Sequence, residues 1–164
     1  MAKATFIIDS DLKHLFKAAA VTGDIPVRNV ALIMTMYGTG LKLTEVARLP
    51  VSRYLSANGT VLVDSEVPAE IAYNGKARPL HWTNTKVVDA IDKYLEYRVR
   101  HRHGVTTRTA AYRGLDPDGP IFMTENGTPF KMVKRTTRTG AISYSCDTVG
   151  DTIKELHKKA GIEG

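Results

Sequence analysis

Two stretches of the chain gather cations with no acid between them. From Tyr97 to Leu115 stand Arg98, Arg100, Arg102, Arg108 and Arg113, with His101 and His103 among them. From Asn126 to Cys146 stand Lys131, Lys134, Arg135 and Arg138. Guanidinium and ammonium groups at this density suit a polyanion, because each phosphate they neutralise releases counterions and adds a salt-dependent increment of affinity. A solvated basic face has the same composition, so the charge permits DNA without requiring it. One more lysine, Lys76, directly follows the turn signal Asn74-Gly75, which would hold it at a hairpin tip.

Other reactive side chains form no working set. His101 and His103 are two apart and do not share a helical face. The stretch Asp116-x-Asp118-Gly119 lacks a calcium loop's third acid and is broken by Pro117 and Pro120. Gly75-Lys76 lacks the glycine-rich loop that cradles phosphates. Cys146 is the single cysteine, which excludes an internal disulfide and a cysteine zinc cluster. Neither a metal site nor a cofactor is expected.

The elements that must position these groups follow from apolar spacing. Ser10 can cap a helix with Leu12, Leu15, Phe16, Ala19 and Ala20 on one face, ended by Gly23. Pro26 can open a second helix carrying Val30, Ile33, Met34 and Tyr37, which stops at Gly38-Thr39-Gly40. Thr44 offers a cap for a short helix with Glu45, Val46 and Leu49, closed by Pro50. Three strand-like runs come next, Val61 to Val63, Glu66 to Tyr73 and Arg78 to Trp82, separated by Asn58-Gly59 and Asn74-Gly75. Thr85 to His103 predicts a long helix with Val87, Ile91, Tyr94, Leu95 and Val99 buried. A long loop over Thr106 to Pro120 leads to a short buried strand at Ile121, Phe122 and Met123. The last helix starts near Ser145 to Asp147 and stops at Gly161. The expected fold is α+β and mainly helical, with helices around a small antiparallel three-stranded sheet.

Length and composition set the frame. The 164 residues fit a single domain spanning 1–164, and 43% hydrophobic with 24% charged residues is an ordinary globular mixture. The net charge of +6 agrees with an anionic partner. No apolar run approaches the ~20 residues that span a bilayer. Asp9 and Asp11 interrupt the start before a signal-peptide core can form. A cytoplasmic, nucleoid-associated location is expected, with no membrane partner.

The order of several motifs resembles the catalytic domain of the tyrosine recombinase, or phage integrase, family. Val27 to Leu49, with Tyr37-Gly38-Thr39-Gly40-Leu41-Lys42 and then Glu45, resembles the first conserved box, where a helix runs into Tyr-x-Thr-Gly-Leu-Arg, two residues, then Glu. Asn74-Gly75-Lys76-Ala77-Arg78-Pro79-Leu80 looks like the family's Gly-Lys-x-Arg turn. Gly119 to Thr124 with Gly127-Thr128-Pro129 is similar to the stretch leading to Phe and then Gly-x-Pro. Ile153 to Ile162 resembles the helix just ahead of the second catalytic box. The resemblance covers nearly the whole chain in the family's order.

The resemblance implies attack of a tyrosine hydroxyl on a DNA phosphodiester, giving a 3′-phosphotyrosyl link and a free 5′ hydroxyl without metal or nucleotide. Two arginines clamp the charge that builds on the non-bridging oxygens, because each planar fork pairs with phosphate oxygens. A hairpin lysine protonates the leaving oxygen. Carried over, the catalytic positions are Lys42, Glu45 and Lys76. Lys42 stands where the family has arginine, and it keeps the charge but loses the fork. Losing one such donor costs about 10²–10³ in rate. Glu45 matches the acid that buttresses that arginine, and here it would pair with Lys42 or cap the helix. The DNA-contacting set is Lys42, Lys76, Arg78, Arg108, Arg113, Lys131, Lys134, Arg135 and Arg138. The family's His-x-x-Arg box is not found: three residues beyond His14, His81, His101, His103 and His157 lie Lys17, Asn84, Gly104, Thr106 and Ala160. Tyr144 precedes the expected box, so no nucleophile is assigned.

These departures give an expectation of a DNA-binding, integrase-like domain, the amino-terminal portion of a recombinase catalytic domain, that does not cleave as it stands. Its partner is double-stranded DNA, on which further copies of the chain can assemble. Binding without the helical domain that usually precedes this one should be weak and unselective. The alternatives are a segment of an active recombinase whose remaining residues lie on further chain, and a non-catalytic protein-interaction remnant.

Overall fold

The computed structural model describes residues 9–106, 110–136, 138–140 and 142–161. In chain order the elements are α1 (Asp9–Ala19), α2 (Pro26–Thr39), α3 (Leu43–Arg48), a 3-10 turn (Val51–Arg53), β1 (Asp64–Val67), β2 (Arg78–His81) and α4 (Thr85–Arg100). A second 3-10 turn (Ala111–Gly114), β3 (Val133–Thr136), β4 (Ile142–Ser145) and α5 (Asp147–Lys159) follow. No helix among the described residues is long and apolar enough to cross a membrane.

Local chemistry explains the helix ends. Pro26 opens α2 with its fixed φ, and Gly40 closes it in the left-handed region at φ 75°, its N–H reaching Met36 O at 3.0 Å. Asn84 caps α4 by accepting the N–H of Lys86 and Val87. The cores of α2 and α4 pack together through Ala31, Leu32, Val87, Ile91 and Leu95, with Val46, Leu49 and Tyr54 completing the cluster. Tyr54 and Trp82 meet edge to face at 5.0 Å, and Trp82 Nε1 donates to Arg53 O at 2.7 Å. A smaller cluster of Leu15, Ala19, Ile33 and Leu156 joins α1 and α5 to the other side of α2. There Tyr37 Oη lies 2.7 Å from His157 Nε2, while His157 Nδ1 lies 2.7 Å from Ile153 O. Because that carbonyl only accepts, Nδ1 carries the proton and Nε2 accepts from the tyrosine.

The small sheet differs from the expected three strands. β1 pairs with β2 antiparallel, Asp64 opposite His81 through Val67 opposite Arg78, and no third strand joins them among the described residues. Pro68 has no N–H and ends β1, after which the N–H groups of Ile71 and Ala72 turn back to Pro68 O. Val61 makes only an isolated bridge to Leu55. A second antiparallel pair, β3 with β4, was not foreseen, although Val133, Thr136, Ile142 and Tyr144 flank a turn holding Gly140 at φ 82°. Ile121, Phe122 and Met123 are buried as expected but form no strand.

Arginines hold the buried segment at Ile121, Phe122 and Met123, which runs without strand pairing. Arg98, expected on the basic surface, is fully buried. Its Nη1 donates to Pro120 O at 2.8 Å and Ile121 O at 2.9 Å, and its Nε to His103 O at 3.1 Å. Arg28, also buried, donates from Nη1 to Met123 O at 3.1 Å. Side-chain cations thus take the carbonyls that a neighbouring strand would have used. Val99, expected inside, is instead exposed at 41%. α4 stops at Arg100, and His103 N–H closes back on Arg98 O at 2.8 Å. Burial, then the charges of His101 and Arg98, pushes the His103 imidazole below its usual range.

Replacing Arg98 by Met should orphan three carbonyls and lower the unfolding free energy by about 3 kcal/mol, read as a lower denaturant midpoint at unchanged slope. A midpoint equal to wild type would contradict this role. The depressed His103 pKa means that the unfolded chain takes up that proton first as pH falls. Its contribution is therefore complete above the ordinary imidazole range and is lost on acidification through the lower folded value. His103→Gln should flatten the melting temperature against pH in that window relative to wild type.

Candidate nucleic-acid interface

Glu45, on α3, has a side chain with no exposed surface. Its Oε1 accepts the backbone N–H of Lys42 at 2.8 Å, and its Oε2 accepts the backbone N–H of Tyr73 at 3.0 Å. Both Nη atoms of Arg78 donate to it at 2.5 Å, one to each oxygen. This is the two-pronged geometry that makes an arginine–carboxylate pair directional as well as strong. Burial pushes the Glu45 carboxyl up, but the Arg78 guanidinium and the N–H groups of Lys42 and Tyr73 overcome it and hold the group below the usual carboxylate range.

One carboxylate therefore ties together the turn before α3, the turn after β1 and the first residue of β2. The surface above it is cationic. Lys42 is exposed, its Nζ 5.4 Å from the centre of the Tyr73 ring, and the Arg78 guanidinium lies 5.6 Å from the same centre. Three residues beyond Tyr73, Lys76 stands exposed on the Asn74-Gly75 turn, its N–H bonded to Asn74 Oδ1 at 3.1 Å. Gly75 takes φ 72°, a conformation that suits glycine, so the turn residue is set by backbone geometry. Lys76 has no ion-pair partner among the described residues. An exposed lysine on each of two segments that meet at Tyr73 is an arrangement able to hold an anionic oxygen as point charges.

Other expected contacts fall differently. The Glu45 carboxylate grips Arg78, not the Lys42 ammonium, so Arg78 points its fork inward and its side chain keeps 31% exposure. Arg113 is drawn toward the body of the protein, with Nε donating to Gly59 O and Nη1 to Asp92 Oδ1, both at 2.8 Å. Lys131, Lys134 and Arg138 are exposed along or beside the β3–β4 pair. Arg135 occupies β3 opposite Ser143. Arg108 lies outside the described residues. Tyr73 was missed by sequence reasoning, which placed it at the end of a strand; the only signal was its position just ahead of Asn-Gly.

The geometry can be set beside known proteins. No family model matches the chain, and no curated protein matches it by sequence. Among solved structures it is similar to XerA recombinase, with a TM-score of 0.62, 18% identity, 100% of this chain covered and 45% of that one. The chain thus shares the fold of the covered part of that structure. It spans less than half the length of the XerA recombinase chain.

Removing the negative charge tests the network directly. Glu45→Gln should lower stability by about 2–3 kcal/mol, since one arginine pairing becomes a donor facing a donor. The depressed pKa gives the sign with pH: the wild-type contribution is present above the ordinary carboxylate range and disappears as pH falls through the lower folded value. A variant losing stability in parallel with wild type across that acid range would contradict it.

Proposed function

We propose that the chain is a DNA-binding domain of the tyrosine-recombinase type, equivalent to the amino-terminal portion of such a catalytic domain, which holds a duplex by its phosphates without cutting it. The observation that carries the reading is the buried Glu45 network, which sets Lys42 and the Lys76 turn beside one another on an exposed surface. The likeness of fold to XerA recombinase supports it. The exposed Lys131, Lys134 and Arg138 are further cations open to a polyanion. A cytoplasmic, nucleoid-associated setting and assembly of several copies on DNA accompany this reading.

Chemistry argues against cleavage by these residues alone. Lys42 offers a point charge where a planar fork would take two phosphate oxygens, and Arg78 cannot replace it while its fork is spent on Glu45. Residues 1–164 contain no His-x-x-Arg. Tyr144 is in β4, opposite Lys134. A second reading, that further chain completes an active recombinase, is favoured by the 45% coverage of XerA recombinase.

A mobility-shift titration on a duplex of about 30 base pairs should show binding at ~50 mM salt that weakens steeply by ~200 mM. Lys42→Ala and Lys76→Ala should each reduce the slope of log affinity against log salt by about one. No shift at ~50 mM would refute DNA binding and leave a protein-interaction role. A covalent adduct on a suicide substrate would replace the non-cleaving reading with the second one.

A further inference from the structure

Lysine at position 42 has a defect as a phosphate ligand that the structure offsets in a specific way. An ammonium on a four-carbon stem is free to wander, whereas an arginine fork is preorganised. Here the ammonium rests 5.4 Å from the centre of the Tyr73 ring. The ring's quadrupole attracts a cation at this range, and the contact is strongest where water is thin. Neither partner chose its place independently. The backbone N–H of Lys42 and that of Tyr73 are bonded to the two oxygens of one buried carboxylate, so the roots of both side chains are fixed relative to each other. The Arg78 guanidinium, bound to the same carboxylate, also lies within 5.6 Å of the ring centre and restricts it further. Yet Tyr73 is 62% exposed, which is a poor arrangement for a ring whose task is to fill a core.

We infer that Tyr73 is a positioning residue for phosphate binding: its ring holds the Lys42 ammonium over the site, so that a lysine presents its charge in a fixed direction. The inference rests on the DNA-binding reading for its consequence, but the Tyr73–Lys42 contact is measurable without DNA. A cation held over an aromatic ring is shielded by it, so the Lys42 ε-methylene protons should resonate upfield of an ordinary lysine.

The experiment compares wild type, Tyr73→Phe, Tyr73→Leu, Lys42→Met and the Lys42→Met/Tyr73→Leu double variant. In the free protein the upfield shift should persist in Tyr73→Phe, which keeps the ring, and vanish in Tyr73→Leu, which keeps only the bulk. Binding to the ~30-base-pair duplex at ~50 mM salt should weaken about two- to five-fold in Tyr73→Leu and stay near wild type in Tyr73→Phe. The double variant should bind no worse than Lys42→Met, because the ring acts through the lysine. Independent, multiplying losses would show that Tyr73 touches DNA on its own account and would overturn the inference. So would an unshifted Lys42, or a Tyr73→Phe as weak as Tyr73→Leu. If wild type fails to bind DNA, the functional reading falls and the positioning role falls with it, whereas a lost shift with intact wild-type binding removes the positioning role alone.

Discussion

Taking a carboxylate out of water costs several kcal/mol unless its lone pairs are occupied and a counter-charge comes with it. At Glu45 that requirement draws on three separate parts of the chain. The N–H of Lys42 comes from the turn between two helices, the N–H of Tyr73 from the turn after β1, and the guanidinium of Arg78 from the start of β2. None of these segments has extensive regular pairing of its own; β1 and β2 are four residues each. Their mutual placement is therefore an electrostatic solution as much as a packing one, and the exposed lysines inherit their positions from it.

The two buried arginines show the complementary strategy. Arg98 and Arg28 carry charge into the interior: Arg98 gives it to carbonyl oxygens, including those of Pro120 and Ile121, and Arg28 shares it among Met123 O, the side-chain oxygen of Asn29 at 2.9 and 3.1 Å, and the Glu125 carboxylate at 3.8 Å. Tyr94 adds its hydroxyl as acceptor for Met123 N–H at 3.0 Å. A segment that would otherwise leave buried polar backbone unmatched is thereby held by side chains of α2 and α4. Nothing of this kind is visible in a count of basic residues, since a charge spent on an internal carbonyl and a charge offered to solvent look alike in sequence.

That distinction separates what the sequence disclosed from what it hid. Apolar spacing located α1, α2, α3, α4 and α5 because burying one helical face leaves a three-and-four periodicity. The turn at Asn74-Gly75, with Lys76 directly after it, was legible from local chemistry. The second expected run stops early because Pro68 removes a donor after only four residues of β1, outweighing the β-favouring Ile71 and Tyr73, while the first, Val61 to Val63, makes only an isolated bridge to Leu55. Arg98 failed because burial of a cation depends on carbonyls about twenty residues away. Arg78 and Arg113 were counted as outward charges, whereas Glu45 and Asp92 claim them. Long-range pairing of this sort leaves no periodic trace.

The hydrogen bond between Tyr37 and His157 has a mechanical meaning. Tyr37 lies on the last turn of α2, just ahead of the left-handed Gly40 that aims the chain toward Lys42. α5 is therefore bonded to the last turn of α2, three residues ahead of Gly40. Exchanging that helix for a foreign one, as a protein engineer grafting segments would do, removes this bond from the end of α2 that leads into the turn carrying Lys42.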